Sequence, residues 1–391
     1  MKILHVTREW PGDKKYGLGR SLNPLIIALL DKGFEVRYLS QEDLGEASLH
    51  WLRQGNALFR KLLKYFSATT QLDALLWGLS ERFNMGRLAA KVAASDSYTH
   101  VHMHDPFIAL GFLVCSMFRF NKCAWGISEH GFGCYAQAIH EDGAILGTRT
   151  MGVLRGLERK ILLAADWVIC PTADALKQLS RDLGVYPVPS FWHAIHHPKP
   201  QLNLIGREEA RLLLGWSADD FYVIAVGRLV PLKQFDLAIA ACAKAQVANL
   251  HLVLIGEGDC EPYIAQIGNC LMNGRVHFTV TGDVSLYYSA ADLYLCSSRT
   301  ESFGLANLEA MVAGLPIIAT AVGGVPEVLG DAAHWVPASD EDAMAAALNY
   351  MAHDIGYRCR MRNHAYARGK EWVDIDKVSE AYAMVYRAAT V

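Results

Sequence analysis

No uninterrupted apolar run in this chain reaches the ~18–20 residues that a membrane-spanning helix needs. The longest candidate, Phe107 to Phe118, stops short of that length, and the chain is expected not to be an integral membrane protein. The nine cysteines are an odd number and contain no C-x-x-C pair. That pattern fits a reducing cytoplasm better than a disulfide scaffold or a zinc finger. A basic footprint is missing too: the net charge is −3, with 22 Lys/Arg against 18 Asp/Glu in residues 1–198 and 15 against 22 in residues 199–391. Nucleic-acid binding is therefore not indicated. The opening Met1-Lys-Ile-Leu-His-Val-Thr-Arg-Glu9 turns polar too soon for a signal peptide.

What is present is an ordinary globular composition, 52% apolar and 20% charged over 391 residues, a length that suits two domains. Lys2–Thr7 reads as a strand, Tyr16-Gly-Leu-Gly-Arg20 as a glycine loop, Leu22–Leu30 as a helix stopped by Gly33, and Phe34–Leu39 as a second strand. Strand, glycine loop, helix and strand form the opening unit of a doubly wound α/β domain, with ligands expected at the carboxyl ends of the strands. Leu157–Asp166 reads as a helix and Trp167–Cys170 as the last strand of this domain. Pro187, Pro189, Pro198 and Pro200 then bracket Phe191–His197, which has little periodicity and reads as a hinge. The alternation resumes with strands Phe221–Val226, Leu250–Ile255 and Val276–Val280 between helices Glu208–Leu214, Phe235–Ala245 and Glu261–Leu271. The expected division is residues 1–190, residues 191–370, and a final helix in 371–391 that crosses back onto the first domain.

The most informative stretch runs from Arg299 to Glu327. Leu293–Cys296 is strand-like, Ser297–Ser302 polar and loop-like, and Leu305–Val312 helical until Gly314-Leu-Pro316 stops it. Glu301 precedes the helix and Glu309 lies inside it. At about 1.5 Å rise per residue their carboxylates stand on the order of 10–12 Å apart. That is wider than the roughly 5–9.5 Å of sugar-hydrolase acid/base pairs, so the two read as holders of the ends of one ligand. The N–H groups of Gly304, Leu305 and Ala306 open the helix between them and suit a phosphate. Upstream, Gly227-Arg228-Leu-Val-Pro-Leu-Lys233 brings two cations to a strand end, where they can neutralise a diphosphate. Together these residues describe a nucleotide diphosphate sugar.

The whole string resembles the C-terminal motif of glycosyltransferase family 4, retaining enzymes of the GT-B fold. The resemblance implies two doubly wound Rossmann-like α/β domains facing a central cleft, and transfer of a hexose-type sugar to a hydroxyl acceptor in cell-surface polysaccharide or glycolipid biosynthesis. It assigns the diphosphate to Arg228 and Lys233, the ribose to Glu309, the transferred sugar to Glu301, and the nucleobase to the backbone at Thr281-Gly-Asp-Val284. Gly227 and Phe303 join this donor set, with Gly17 and Gly19 approaching from the first domain. His130, in Glu129-His-Gly131, matches the family histidine that reaches the donor sugar, and His104 and Asp105 match residues near the acceptor pocket. Leu18 between the two glycines, Gln234 after Lys233, and His193-Ala-Ile-His196 at the hinge depart from the family pattern. No metal and no bound cofactor is expected, the nucleotide sugar being a co-substrate.

Three other features carry rival readings. His100, His102 and His104 alternate along a strand and share a face, as three ligands of a metal-dependent hydrolase would. No H-E-x-x-H helix accompanies them. Gly126-Ile-Ser-Glu-His130 falls one residue short of the G-x-S-x-G elbow, since His130 takes the place of the last glycine. Residues 51–66 interleave Arg53, Arg60, Lys61 and Lys64 with aromatic and aliphatic side chains and hold no acid. They read either as a helix packed on its domain or as a peripheral contact with the inner membrane face that would serve a lipid-linked acceptor. A non-catalytic sugar-nucleotide-binding protein is the remaining alternative. Asp340-Glu-Asp342 and Asp374-Ile-Asp376 read as helix caps.

Overall fold

The computed structural model describes residues 1–9, 17–45, 70–117, 123–141, 147–268, 272 and 274–389. Residues 51–66 lie outside the described residues. The chain divides into two compact units, Met1–His197 with Ile375–Val391, and Pro198–Asp374.

The first unit is built on six parallel strands, β1 (Lys2–Val6), β2 (Glu35–Leu39), β3 (His100–Met103), β4 (Ala124–Ser128), β5 (Trp167–Cys170) and β6 (Trp192–Ala194). Their spatial order is β2-β1-β3-β4-β5-β6. The order reverses at the β1/β3 boundary, and in such sheets ligands settle outside the carboxyl ends of the strands at that point. β3 and β5 are buried along their whole length, as strands covered by helices on both faces must be. Asp105 lies just past β3 and caps the helix Pro106–Ser116 by accepting from the Phe107 N–H at 2.9 Å, with Pro106 at the first helical position. Gly126 on β4 stands beside the indole of Trp167, where a Cβ would lie 2.2 Å from ring atoms. Only glycine leaves room there for a fully buried tryptophan.

The second unit repeats the plan with β7 (Phe221–Val226), β8 (Leu250–Ile255), β9 (Val276–Thr279), β10 (Leu293–Cys296), β11 (Ile317–Thr320) and β12 (Ala333–Val336), all parallel, in the order β12-β11-β10-β7-β8-β9. Side chains alternate between faces. Val223, Ala225, Leu252, Leu254, Leu293 and Leu295 pack into one core, and Tyr222, Ile224, Val253, Ile255, Tyr294 and Cys296 into the other. The reversal here lies between β7 and β10.

Several expectations are revised. The segment Phe191–His197 is not an irregular hinge throughout, because Trp192–Ala194 pairs with β5 as the sixth strand. The first unit therefore extends to His197, past the expected limit at residue 190. Gly17 and Gly19 are in the first turn of a helix that starts at Gly17, not in a loop ahead of Leu22. The Gly19 N–H donates to Glu9 Oε1 at 3.1 Å, so a carboxylate from the end of β1 sits at that helix start. Ser128 lies within β4 and is buried, the opposite of an exposed nucleophile on a sharp turn. Asp340 caps its helix by accepting from the Ala343 N–H. The helix Ile375–Ala388 is part of the first unit. Among the described residues, no helix is long and apolar enough to cross a membrane.

Candidate active site

Arg228 and Lys233 leave the end of β7, and Glu301 follows β10. These are the two strands that flank the reversal in strand order of the second unit. A short helical turn, Pro231–Lys233, turns the lysine back, and its Nζ lies 2.5 Å from Glu301 Oε2. Ser298 Oγ donates to the same carboxylate oxygen at 3.3 Å, and Ser297 Oγ donates to the Lys233 carbonyl at 2.7 Å. Burial pulls the Lys233 ammonium toward neutrality, but the Glu301 carboxylate more than offsets it, and the net pKa is raised. A positive charge is thus held at a sheltered position beside the strand reversal. Arg228 is exposed.

The helix Leu305–Val312 starts from Gly304, whose φ of +79° lies in the left-handed region. A Cβ there would lie 2.3 Å from Asn307 Nδ2 and 3.2 Å from Glu301 Cγ, so glycine is required on both counts. That start turns the N–H groups of Leu305 and Ala306 out of the internal ladder. Lys233, Glu301, Ser297, Ser298, Gly304 and Asn307 line a cavity of about 10 Å³, near the smallest that admits one water. Asn307 is 1% exposed, and neither Nδ2 nor Oδ1 of its amide meets a protein partner. Phe303 is buried against Trp372 with ring centroids 6.0 Å apart, so its side chain anchors the turn and only its backbone is offered to a ligand. Glu309 is buried and accepts from the Tyr288 hydroxyl at 3.0 Å. Val284 points into the core at the start of the helix Ser285–Ala290, which likewise leaves its backbone. Gly227 ends β7 next to the Lys233 stem.

In the first unit the sequence-predicted histidines converge. His102 and His104 stack at 4.6 Å between ring centroids, His5 joins them from β1, and His104 stacks on His130 at 5.3 Å. His100 turns away to Thr99 Oγ1 and the Tyr386 carbonyl. Among the described residues, the group that could hold a metal is therefore His5, His102 and His104, with one nitrogen of each within 4.8 Å of the others. It is not the strand triplet. All six ring nitrogens of this trio already lie at 2.7–3.3 Å from Ser128, Tyr386, His130 or one another. Burial lowers the pKa of His5 to about 3 and of His130 to about 4, and holds His102 and His104 well below 6.5. All four rings are neutral at pH 7. Both carboxylate oxygens of Asp105 are in use, Oδ1 in the helix cap and Oδ2 on the Arg82 guanidinium at 2.7 Å. Nearby, burial raises the Glu129 carboxyl well above its usual range and Glu158 to about 8.

Ser297, Ser298, Asn307 and Tyr288 support the site without having been singled out from sequence. The serines and Asn307 were findable, since they flank Glu301 in the same loop and helix. Tyr288 gave no signal, being 21 residues from the glutamate it holds.

Comparison with known proteins fits this geometry. Residues 206–368 match the family model described as glycosyl transferases group 1. Over 256 residues the chain is 29% identical to the D-inositol 3-phosphate glycosyltransferase of Mycobacterium marinum, covering 62% of this chain and 53% of that protein. It is 30% identical over 199 residues to an uncharacterized glycosyltransferase of Methanocaldococcus jannaschii, covering 48% and 50%. The chain thus spans about half the length of the curated relatives it matches. Among solved structures it superposes on the sucrose-phosphate synthase of Thermosynechococcus elongatus with a TM-score of 0.74 at 19% identity, covering 99% and 98% of the two chains. It superposes on Anabaena HepE in complex with UDP-glucose with a TM-score of 0.72 at 17% identity, covering 99% and 100%. The second unit thus carries a region similar to the glycosyl transferases group 1, and the chain has the fold of solved GT-B glycosyltransferases.

Proposed function

We propose that the protein is a glycosyltransferase that takes a hexose-type sugar from a nucleotide diphosphate sugar and transfers it to a hydroxyl acceptor with retention, in the manner of family 4 and without a metal. The observation that carries this reading is the Lys233–Glu301 pair at the strand reversal, beside the open helix start at Gly304. Cleavage of the donor leaves a diphosphate anion and a sugar with oxocarbenium character, so the site must stabilise the anion first. Lys233, Arg228 and the N–H groups of Leu305 and Ala306 supply that stabilisation from this chain's own groups. Glu309, fixed by Tyr288, accepts the ribose hydroxyls, and Glu301, fixed by Lys233 and Ser298, accepts hydroxyls of the transferred sugar. His130 of the first unit is assigned to the transferred sugar, and the leaving phosphate takes the acceptor proton. The solved relative that carries UDP-glucose supports a nucleotide sugar as donor. A cytoplasmic location and a cell-surface polysaccharide or glycolipid acceptor complete the proposal.

The experiment is a turnover assay with UDP-, GDP- and ADP-sugars, following release of nucleoside diphosphate with and without chelator. Release from one donor, insensitive to chelator, supports the reading. Stoichiometric zinc with chelator-sensitive hydrolysis would overturn it in favour of the histidine-metal alternative.

A further inference from the structure

A line of hydrogen bonds crosses the interior of the first unit from β4 to His130. Ser128 Oγ meets His102 Nε2 at 2.9 Å, His102 Nδ1 meets the Tyr386 hydroxyl at 2.7 Å, and that hydroxyl meets His5 Nε2 at 3.3 Å. His5 Nδ1 then meets His104 Nε2 at 3.0 Å, and His104 Nδ1 meets His130 Nε2 at 3.0 Å. His5, His102 and Tyr386 are 0% exposed. Trp167, seated in the space that Gly126 leaves, packs its indole 5.7 Å from His102 and 5.4 Å from Tyr386.

A neutral imidazole has one donor and one acceptor nitrogen, and burial keeps these rings neutral. At each histidine–histidine link one ring must donate and the other accept, so the choice at one link dictates the next. If Ser128 donates into the line, His102 receives at Nε2 and donates from Nδ1 to Tyr386. Tyr386 donates to His5 Nε2, and His5 and His104 each pass the bond on from Nδ1. All four histidines, His130 included, then carry their proton on Nδ1. If His130 donates instead, every link reverses and all four carry it on Nε2. A mixed set either sets two N–H groups or two lone pairs against each other about 3 Å apart or, where His5 and His102 both donate to Tyr386, leaves the buried hydroxyl proton without an acceptor in the line.

We propose that His5, His102, His104 and Tyr386 are positioning residues which, through this one line of hydrogen bonds, hold four histidines in a single shared tautomer and so decide which nitrogen of His130 carries the proton. The sense of the line then sets whether Nδ1 of His130 acts as a donor or an acceptor in its remaining contacts, those to a ligand included. That consequence rests on the role proposed above for His130, whereas the shared tautomer does not. Tyr386 lies on the helix Ile375–Ala388, 284 residues from His102 in sequence. The C-terminal helix is thereby made a part of the line.

The test is ring ¹⁵N spectroscopy of the full chain labelled at histidine, with the four signals assigned from single His→Gln variants. At pH 7 the four rings are expected to be uncharged and of one tautomer. Mixed tautomers, or a charged ring among them, would overturn the proposal without any variant being needed. Tyr386→Phe keeps the packing and removes the link, so His102 is expected to lose its agreement with His5, His104 and His130 while those three still agree. Unchanged signals in that variant would overturn the coupling. In the transfer assay, Tyr386→Phe and His104→Gln should lower kcat several-fold while donor KM stays near wild type. Full turnover in His130→Ala would remove the role proposed for His130 and leave the tautomer result standing by itself.

Discussion

Replacing Lys233 with alanine removes the one ammonium that the site shelters, 2.5 Å from Glu301, with side chains 20% and 17% exposed. Two effects are expected, and they separate. The loss of a charge-assisted contact aimed at developing negative charge is worth about 2.7–4 kcal/mol, which at ~1.4 kcal/mol per decade is a roughly 10²–10³-fold fall in kcat. The effect on folding is smaller. The pair is partly exposed, and Glu301 keeps the Ser298 hydroxyl, so about 1 kcal/mol is lost, a shift of ~2–4 °C in melting temperature for a unit of this size. Lys233→Met serves as control for the aliphatic stem that packs beside Gly227. The assay is initial-rate nucleoside diphosphate release at saturating donor, with folded fraction checked by thermal melting. Turnover within about threefold of wild type, under 1 kcal/mol, in a folded variant would refute the assignment of the diphosphate to this lysine.

Three further outcomes follow from the geometry. Gly304→Ala places a methyl 2.3 Å from the Asn307 amide at a φ of +79°, and should cost about 1–3 kcal/mol, read as a lower melting temperature together with weaker donor binding. Asp292→Asn breaks a pair in which Arg211 Nη2 lies 2.6 Å away and both side chains are under a tenth exposed. About 3–5 kcal/mol of stability should go, with donor affinity of the remaining folded protein unchanged by calorimetry. The buried histidines have folded pKa values depressed below the ordinary 6.5, so their contribution is full above 6.5 and is lost as pH falls toward about 4. Each ring kept neutral costs about 1.4 kcal/mol per pH unit below 6.5. Melting temperature should fall steeply between pH 7 and pH 5.5, and less steeply in His5→Asn.

Much of the second unit was legible because its signals are local. The bounds of β7, β8, β10 and the helix Leu305–Val312 coincide with the periodicity reading, since apolar runs there are cut at their ends by glycine or by polar residues, Asp220 and Gly227 around β7, Asn249 and Gly256 around β8, Asp292 and Ser297 around β10. The placement of Glu301 and Lys233 followed from the same cuts, although nothing in the sequence says that they touch. β6 was missed because a three-residue edge strand between prolines has too few residues for periodicity to act on. The glycines at 17 and 19 read as a loop because the carboxylate at the helix start, Glu9, comes from a neighbouring turn and not from the cap position. The histidine line was half visible. Alternation put His100, His102 and His104 on one face, but His5 and Tyr386 arrive from 99 residues before His104 and 284 residues after His102, and tertiary pairing at that distance leaves no mark on a single sequence.

The central claim is that the second unit binds a nucleotide diphosphate sugar through Lys233, Glu301, Glu309 and the helix start at Gly304. Calorimetric titration of the wild-type chain and of Glu309→Gln with UDP-, GDP- and ADP-sugars tests it most directly. The account predicts saturable binding of one of these donors at one site per chain, weakened about tenfold or more in the variant, which loses a hydrogen bond to a charged group worth ~1.5–3 kcal/mol. Absence of binding by every donor in the panel, or equal affinity in the variant, would contradict it.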